Sequence, residues 1–196
     1  NKGENKRTLG INALDKAIGS RLAKRGSMLT LFGLSGSSKS SFTLYLTNAL
    51  VNNPRKICVM YFTLENTEED VVDMLVSIRT GIKTSLLETP EDLQSHEIER
   101  IEKELNKLEN AENLHVYDES SLSIDQLESK IIQSKDIFRE KGLLPEDEYC
   151  VVVIDLATML TDFDDLDPRR REQVVNRLHR LCRKEHLERC IYQRII

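Results

Sequence analysis

Long apolar runs are missing: no stretch of the 196 residues approaches the ~20 that a helix needs to cross a bilayer. That excludes a helical membrane protein. A secretory leader is not visible either, because Asn1-Lys2-Gly3-Glu4-Asn5-Lys6-Arg7 is polar and has no apolar core. The first residue is not Met, which leads us to expect a fragment or a processed chain with residues 1–7 as a flexible lead-in. Cysteine is scarce and scattered, at positions 58, 150, 182 and 190, and no Cys-x-x-Cys spacing occurs. A disulfide scaffold and a cysteine zinc site are therefore excluded, and reduced, mostly buried thiols in a reducing compartment are expected. Excess positive charge is lacking too. The net charge of −5 argues against a generally basic nucleic-acid coat, though it leaves room for a narrow basic channel.

What is present centres on Gly33-Leu34-Ser35-Gly36-Ser37-Ser38-Lys39-Ser40. The apolar run Met28-Leu29-Thr30-Leu31-Phe32 precedes it and reads as a buried strand. Phe42, Leu44, Tyr45, Leu46, Ala49 and Leu50 follow as the apolar face of a helix. A strand, a Gly/Ser turn and Lys-Ser opening a helix form a phosphate-binding loop. Its backbone N–H groups and the helix dipole would face an anion, here over residues 33–41, up to Ser41. Lys39 would reach the β- and γ-phosphates of ATP, and the Ser40 hydroxyl would ligate Mg²⁺. One position departs from the pattern. Ser38 stands where a glycine is favoured for its freedom at φ > 0 and its close approach to phosphate. The competing reading of the stretch is a Gly/Ser-rich strand–helix turn with an incidental lysine.

Along the rest of the chain, strands and helices alternate. A short helix carrying Leu14 and Ile18 is expected first. Ile57-Cys58-Val59-Met60-Tyr61-Phe62 is apolar without alternation, as in a strand covered on both faces. Thr67 with Asp70 signals a helix start, with Val71, Val72, Leu75 and Ile78 facing inward. Thr89-Pro90-Glu91-Asp92 signals another helix, running to about Asn110 with a solvated acidic face. Leu114-His115-Val116-Tyr117-Asp118 reads as a strand, and Ser123-Ile124-Asp125-Gln126 as a capping box. The helix after it carries Leu127, Ile131, Ile132, Ile137 and Phe138, and Gly142 closes it.

Tyr149-Cys150-Val151-Val152-Val153-Ile154-Asp155 is a strand that ends in an acid. A loop over 161–167 leads to a helix from Asp167-Pro168 with Val174, Leu178, Leu181 and Cys182 inward, and Cys190-Ile191-Tyr192-Gln193 reads as a last strand. No internal repeat is present. The pattern predicts an α/β fold, a mostly parallel sheet with helices on both faces.

In such sheets ligands gather at the carboxyl ends of the strands, where the loop, Glu65 and Asp155 all fall. Asp155 after its apolar strand has the form of a Walker B acid that would steer the Mg²⁺ held by Ser40; a structural acid is the alternative. Glu65 would orient and deprotonate an attacking water, or be an ordinary acid near a helix start.

The order of these segments resembles the RecA-type motor domain of the DnaB-like replicative helicases, nearly end to end. Thr8-Leu9-Gly10-Ile11-Asn12-Ala13-Leu14-Asp15, Tyr61-Phe62-Thr63-Leu64-Glu65, Arg79-Thr80-Gly81, Leu122-Ser123-Ile124-Asp125-Gln126-Leu127 and Val153-Ile154-Asp155-Leu156-Ala157-Thr158-Met159 carry the likeness. The resemblance implies a RecA-like P-loop NTPase domain over 8–196, of phage or plasmid type, and a C-terminal part that continues beyond this chain. It implies an ATP- and Mg²⁺-dependent translocase on single-stranded DNA, assembled as a hexameric ring, with a primase or helicase loader as partners and no membrane. The cytoplasm of a bacterium or a phage-infected host is the implied compartment. Lys39, Ser40, Glu65 and Asp155 take the family's site roles, and Gln193 would be its phosphate sensor. Arg169, Arg170 and Arg171 stand near its channel-facing loop and would contact DNA, or be solvated residues at a helix start. Another RecA-type ATPase, or a nucleotide-binding scaffold with weak or no hydrolysis, remains the alternative.

Overall fold

The computed structural model describes residues 11, 13, 15–16, 26–34, 36–54, 57–144, 150–163 and 167–184, and the backbone of 189–195. The expected lead-in at 1–7, most of the first short helix and Ser35 lie outside them.

Among the described residues five strands form one parallel sheet in the order β1-β5-β4-β2-β3. They are β1 (Ser27–Gly33), β2 (Cys58–Thr63), β3 (Leu114–Asp118), β4 (Cys150–Asp155) and β5 (Arg189–Ile195). The helices are α1 (Lys39–Val51), α2 (Glu68–Thr80), the short α3 (Thr84–Leu87), α4 (Ser95–Glu109), α5 (Ile124–Glu140) and α6 (Pro168–Lys184).

β2 and β4 are central and buried at every position, which is why their sequences are apolar without a break. Each strand feeds two cores, because successive side chains point to opposite faces. Cys58, Met60 and Phe62 pack with Val152 and Ile154 under α5 and α6. Val59 and Tyr61 pack with Val151 and Val153 under α1 and α2. α4 lies outside, against α2. The expected inward residues of α6, Val174, Leu178, Leu181 and Cys182, are all buried. Cys58, Cys150 and Cys182 are buried free thiols.

Several expectations are corrected. β1 is not a buried strand: it lies at an edge of the described sheet, its side chains are partly covered, and Phe32 is 56% exposed. The inward face of α1 is Thr43, Leu44, Leu46, Thr47 and Leu50, while Phe42 and Tyr45 point outward. The helix turns them away from the sheet because the Thr43–Thr47–Leu50 row, three and four residues apart, claims the covered side. Ile132 is likewise exposed on α5. The helix expected from Thr89 starts later. Pro90–Asp92 is only a single 3₁₀ turn, Leu93 is extended, and the Glu97 carboxylate accepts from the Gln94 N–H at 2.9 Å to begin α4 at Ser95.

Candidate nucleotide-binding site

The loop leaves β1 at Gly33 and enters α1 at Lys39. A Cβ built on Gly33 would sit 2.5 Å from Ser37 Oγ, so any side chain there would require the Ser37 hydroxyl to turn aside. Gly36 takes φ +73°, and Ser38 takes φ 59°, ψ 28°. Ser38 thus adopts the left-handed backbone for which glycine is suited. Ser38 caps α1 without a side-chain hydrogen bond, and the first turn carries no acid. The N–H groups of that turn have no acceptor within the helix, which makes the end a seat for an anion. Lys39 Nζ lies back over the loop, donating to the Leu34 carbonyl at 2.7 Å.

Across the sheet, β4 delivers Asp155, only 1% exposed, to the same edge. Its Oδ1 accepts from Ser40 Oγ at 3.2 Å, and its Oδ2 accepts from the Tyr61 hydroxyl at 2.6 Å. The Leu64 N–H donates to the Asp155 carbonyl at 2.7 Å, tying the ends of β2 and β4 together. Burial pushes the Asp155 carboxyl above the usual carboxylate range, the Glu65 charge adds to the rise, and the donors Tyr61 and Ser40 and the Lys39 charge oppose it. Burial, and then the negative charge of Asp155, push the Tyr61 hydroxyl well above its ordinary value.

Residues 36–41, Glu65, Asn66, Met74 and Leu156 line one cavity of about 340 Å³. The structure therefore brings together the loop, Lys39, Ser40, Ser41, Glu65 and Asp155. Glu65 is exposed, just past the end of β2. The backbone of Gln193 pairs with Leu31, one residue beyond Tyr192, which pairs with Ile154; its side chain is outside the described residues. Arg169, Arg170 and Arg171 lie in the first turn of α6, and none lines the cavity. The Arg169 N–H donates to the Asp167 carboxylate at 2.8 Å. Sequence reading missed Tyr61. The available signal was one phenol in an otherwise apolar buried strand, since such a hydroxyl needs an acceptor.

The donor set suits phosphate and a hard cation. A helix N-terminus and a lysine face the cavity, and a hydroxyl and a carboxylate sit in contact beside them. Mg²⁺ binds through one or two such oxygens together with phosphate and water. Among the described residues no group of three or more His, Cys, Asp or Glu forms a metal cage.

A parallel α/β sheet whose first strand runs through a Gly/Ser loop into a helix, with an acid at the end of a nearby strand, defines a RecA-like fold. The sequence matches the DnaB-like helicase C terminal domain over residues 8–187, and the chain belongs to that family. Among solved structures it is similar to one described as an ATPase domain, with 18% identity, a TM-score of 0.78, and coverage of 96% of this chain and 63% of that one. It is also similar to a DnaB-like replicative helicase described with its interactions with primase, with 18% identity, a TM-score of 0.78, and coverage of 95% and 42%. The chain thus spans less than two thirds of the length of either structure. No curated protein matches it.

Proposed function

We propose that this chain is the ATP-hydrolysing motor domain of a replicative DNA helicase, acting on single-stranded DNA. The observation that carries the reading is the contact of Ser40 with Asp155 beside a cavity also lined by Lys39 and Glu65. In it the N–H groups of residues 36–41 hold the phosphates, and Lys39 swings from the Leu34 carbonyl to the β- and γ-oxygens. Ser40 and Asp155 would hold Mg²⁺, which would supply neutralisation of the charge building on the phosphates. Glu65 orients the attacking water and takes its proton.

Gln193 is proposed to sense the γ-phosphate from the strand between β1 and β4. Arg169, Arg170 and Arg171 are proposed to contact DNA phosphates. Family membership supports a hexameric ring and a primase or loader as partners. The left-handed Ser38 supports nucleotide binding over the scaffold reading, because the serine takes the backbone conformation that a glycine would.

The test is DNA-stimulated ATP hydrolysis by the purified protein. Lys39→Ala should abolish it, and Glu65→Gln should reduce turnover by about 10²–10⁴-fold while nucleotide still binds. Unchanged turnover in both variants sinks the assignment.

A further inference from the structure

Asp155 faces a geometric problem that its neighbours solve. Its carboxylate is almost wholly buried, and only one oxygen, Oδ1, turns toward Ser40. A buried carboxylate with one oxygen unsatisfied is costly and free to rotate. The second oxygen, Oδ2, accepts from Tyr61 at 2.6 Å, a charge-assisted bond at the short end of the range. Tyr61 is itself fully buried, and its ring is packed among Val59, Val151 and Val153 under α1. β2 and β4 are in register, Tyr61 opposite Val153, so the phenol runs two residues up the sheet to reach Asp155 on the same face. The ring cannot turn without disturbing that packing, and the carboxylate cannot turn without giving up its bond to Tyr61.

We propose that Tyr61 is a positioning residue for the divalent cation. It clamps Oδ2 so that Oδ1 is presented to Ser40 and to a cation bound with the nucleotide phosphates. This rests on the motor reading above. Tyr61 touches neither nucleotide nor cation and acts through Asp155. A phenylalanine would fill the same core volume but leave Oδ2 without its donor.

The experiment measures binding of a fluorescent adenine nucleotide to the purified protein, with Mg²⁺ and with EDTA, for wild type, Tyr61→Phe, Asp155→Asn and the double variant. Tyr61→Phe should leave the affinity in EDTA unchanged and cut the gain on adding Mg²⁺ by about ten-fold, the effect of one hydrogen bond to a charged group. The double variant should match Asp155→Asn, since the tyrosine works only through that carboxylate. A gain equal to wild type in Tyr61→Phe, or equal losses in EDTA and Mg²⁺, overturns the clamp while leaving the motor reading intact. Absence of any Mg²⁺-dependent gain in wild type overturns both. Should Tyr61→Phe not fold, protein labelled with ¹³C at the tyrosine ζ-carbon gives a second readout. One buried tyrosine resonance should move when Mg²⁺ is added to the nucleotide complex, and it should stay still in Asp155→Asn. No movement in wild type overturns the clamp.

Discussion

A side chain at φ 59° is held where L-residues crowd their own backbone, and Ser38 is the one non-glycine residue described there. The left-handed region costs such a residue about 1–2 kcal/mol. Ser38→Gly relieves that cost but returns roughly 0.4–1 kcal/mol of entropy to the unfolded chain. The expected net gain therefore lies between about 0 and 1.6 kcal/mol, a rise in Tm of up to about 6 °C for a chain of this size. Thermal unfolding by circular dichroism checks it, and a lower Tm would mean that the serine is not strained. The departure at Ser38 was visible in sequence as a wrong residue in a motif. Its backbone conformation was not, because φ at one position follows from how β1 and α1 are held apart. The lone phenol of Tyr61 was a visible signal, but its partner was not legible, because the acceptor lies far along the chain, on β4.

Helix starts were the most legible elements, since a cap is written within four residues. Thr67 and Asp70 bond reciprocally, Thr67 N–H to Asp70 Oδ2 at 2.9 Å and Asp70 N–H to Thr67 Oγ1 at 3.1 Å. Ser123 and Gln126 do the same at the start of α5. Thr67→Ala should cost about 1 kcal/mol, read as a lower denaturation midpoint with an unchanged slope. The pH dependence has a definite sign. The Thr67 backbone N–H, then its hydroxyl, hold the Asp70 carboxyl below the usual range. Its contribution is present above the ordinary aspartate value, near 3.9, and is lost as pH falls through the lower folded value. The difference between wild type and Thr67→Ala should narrow on acidification, modestly, because Asp70 is exposed. The start of α4 misled because Thr89-Pro90 opens only a single 3₁₀ turn, and the Thr89 hydroxyl donates back to the Ser85 carbonyl rather than capping a helix.

At the scale of the whole molecule the phosphate loop and the acids meet because the sheet is parallel. Every strand ends at the same edge, so the loop after β1 and the ends of β2 and β4 share one rim. α6 packs on the opposite face from α1, and Arg169, Arg170 and Arg171 in its first turn do not line the cavity beside Ser40. If these arginines contact DNA, replacing each with alanine should lower the slope of log K against log salt by about 0.7 per lost phosphate contact on single strands. Fluorescence anisotropy with an oligonucleotide at several salt concentrations reads it, and an unchanged slope would leave them as solvated helix-start residues.

Local pattern carried the α/β class, the parallel sheet and the caps at Thr67 and Ser123, because periodicity and turn residues are properties of neighbours in the chain, and the family came from the resemblance of its segments. The strand order, the half-exposed β1, the outward Phe42 and Tyr45 and the clamp on Asp155 came from the folded molecule. Each depends on which distant segment covers which face, and burial and long-range hydrogen bonding settle that after the elements have formed.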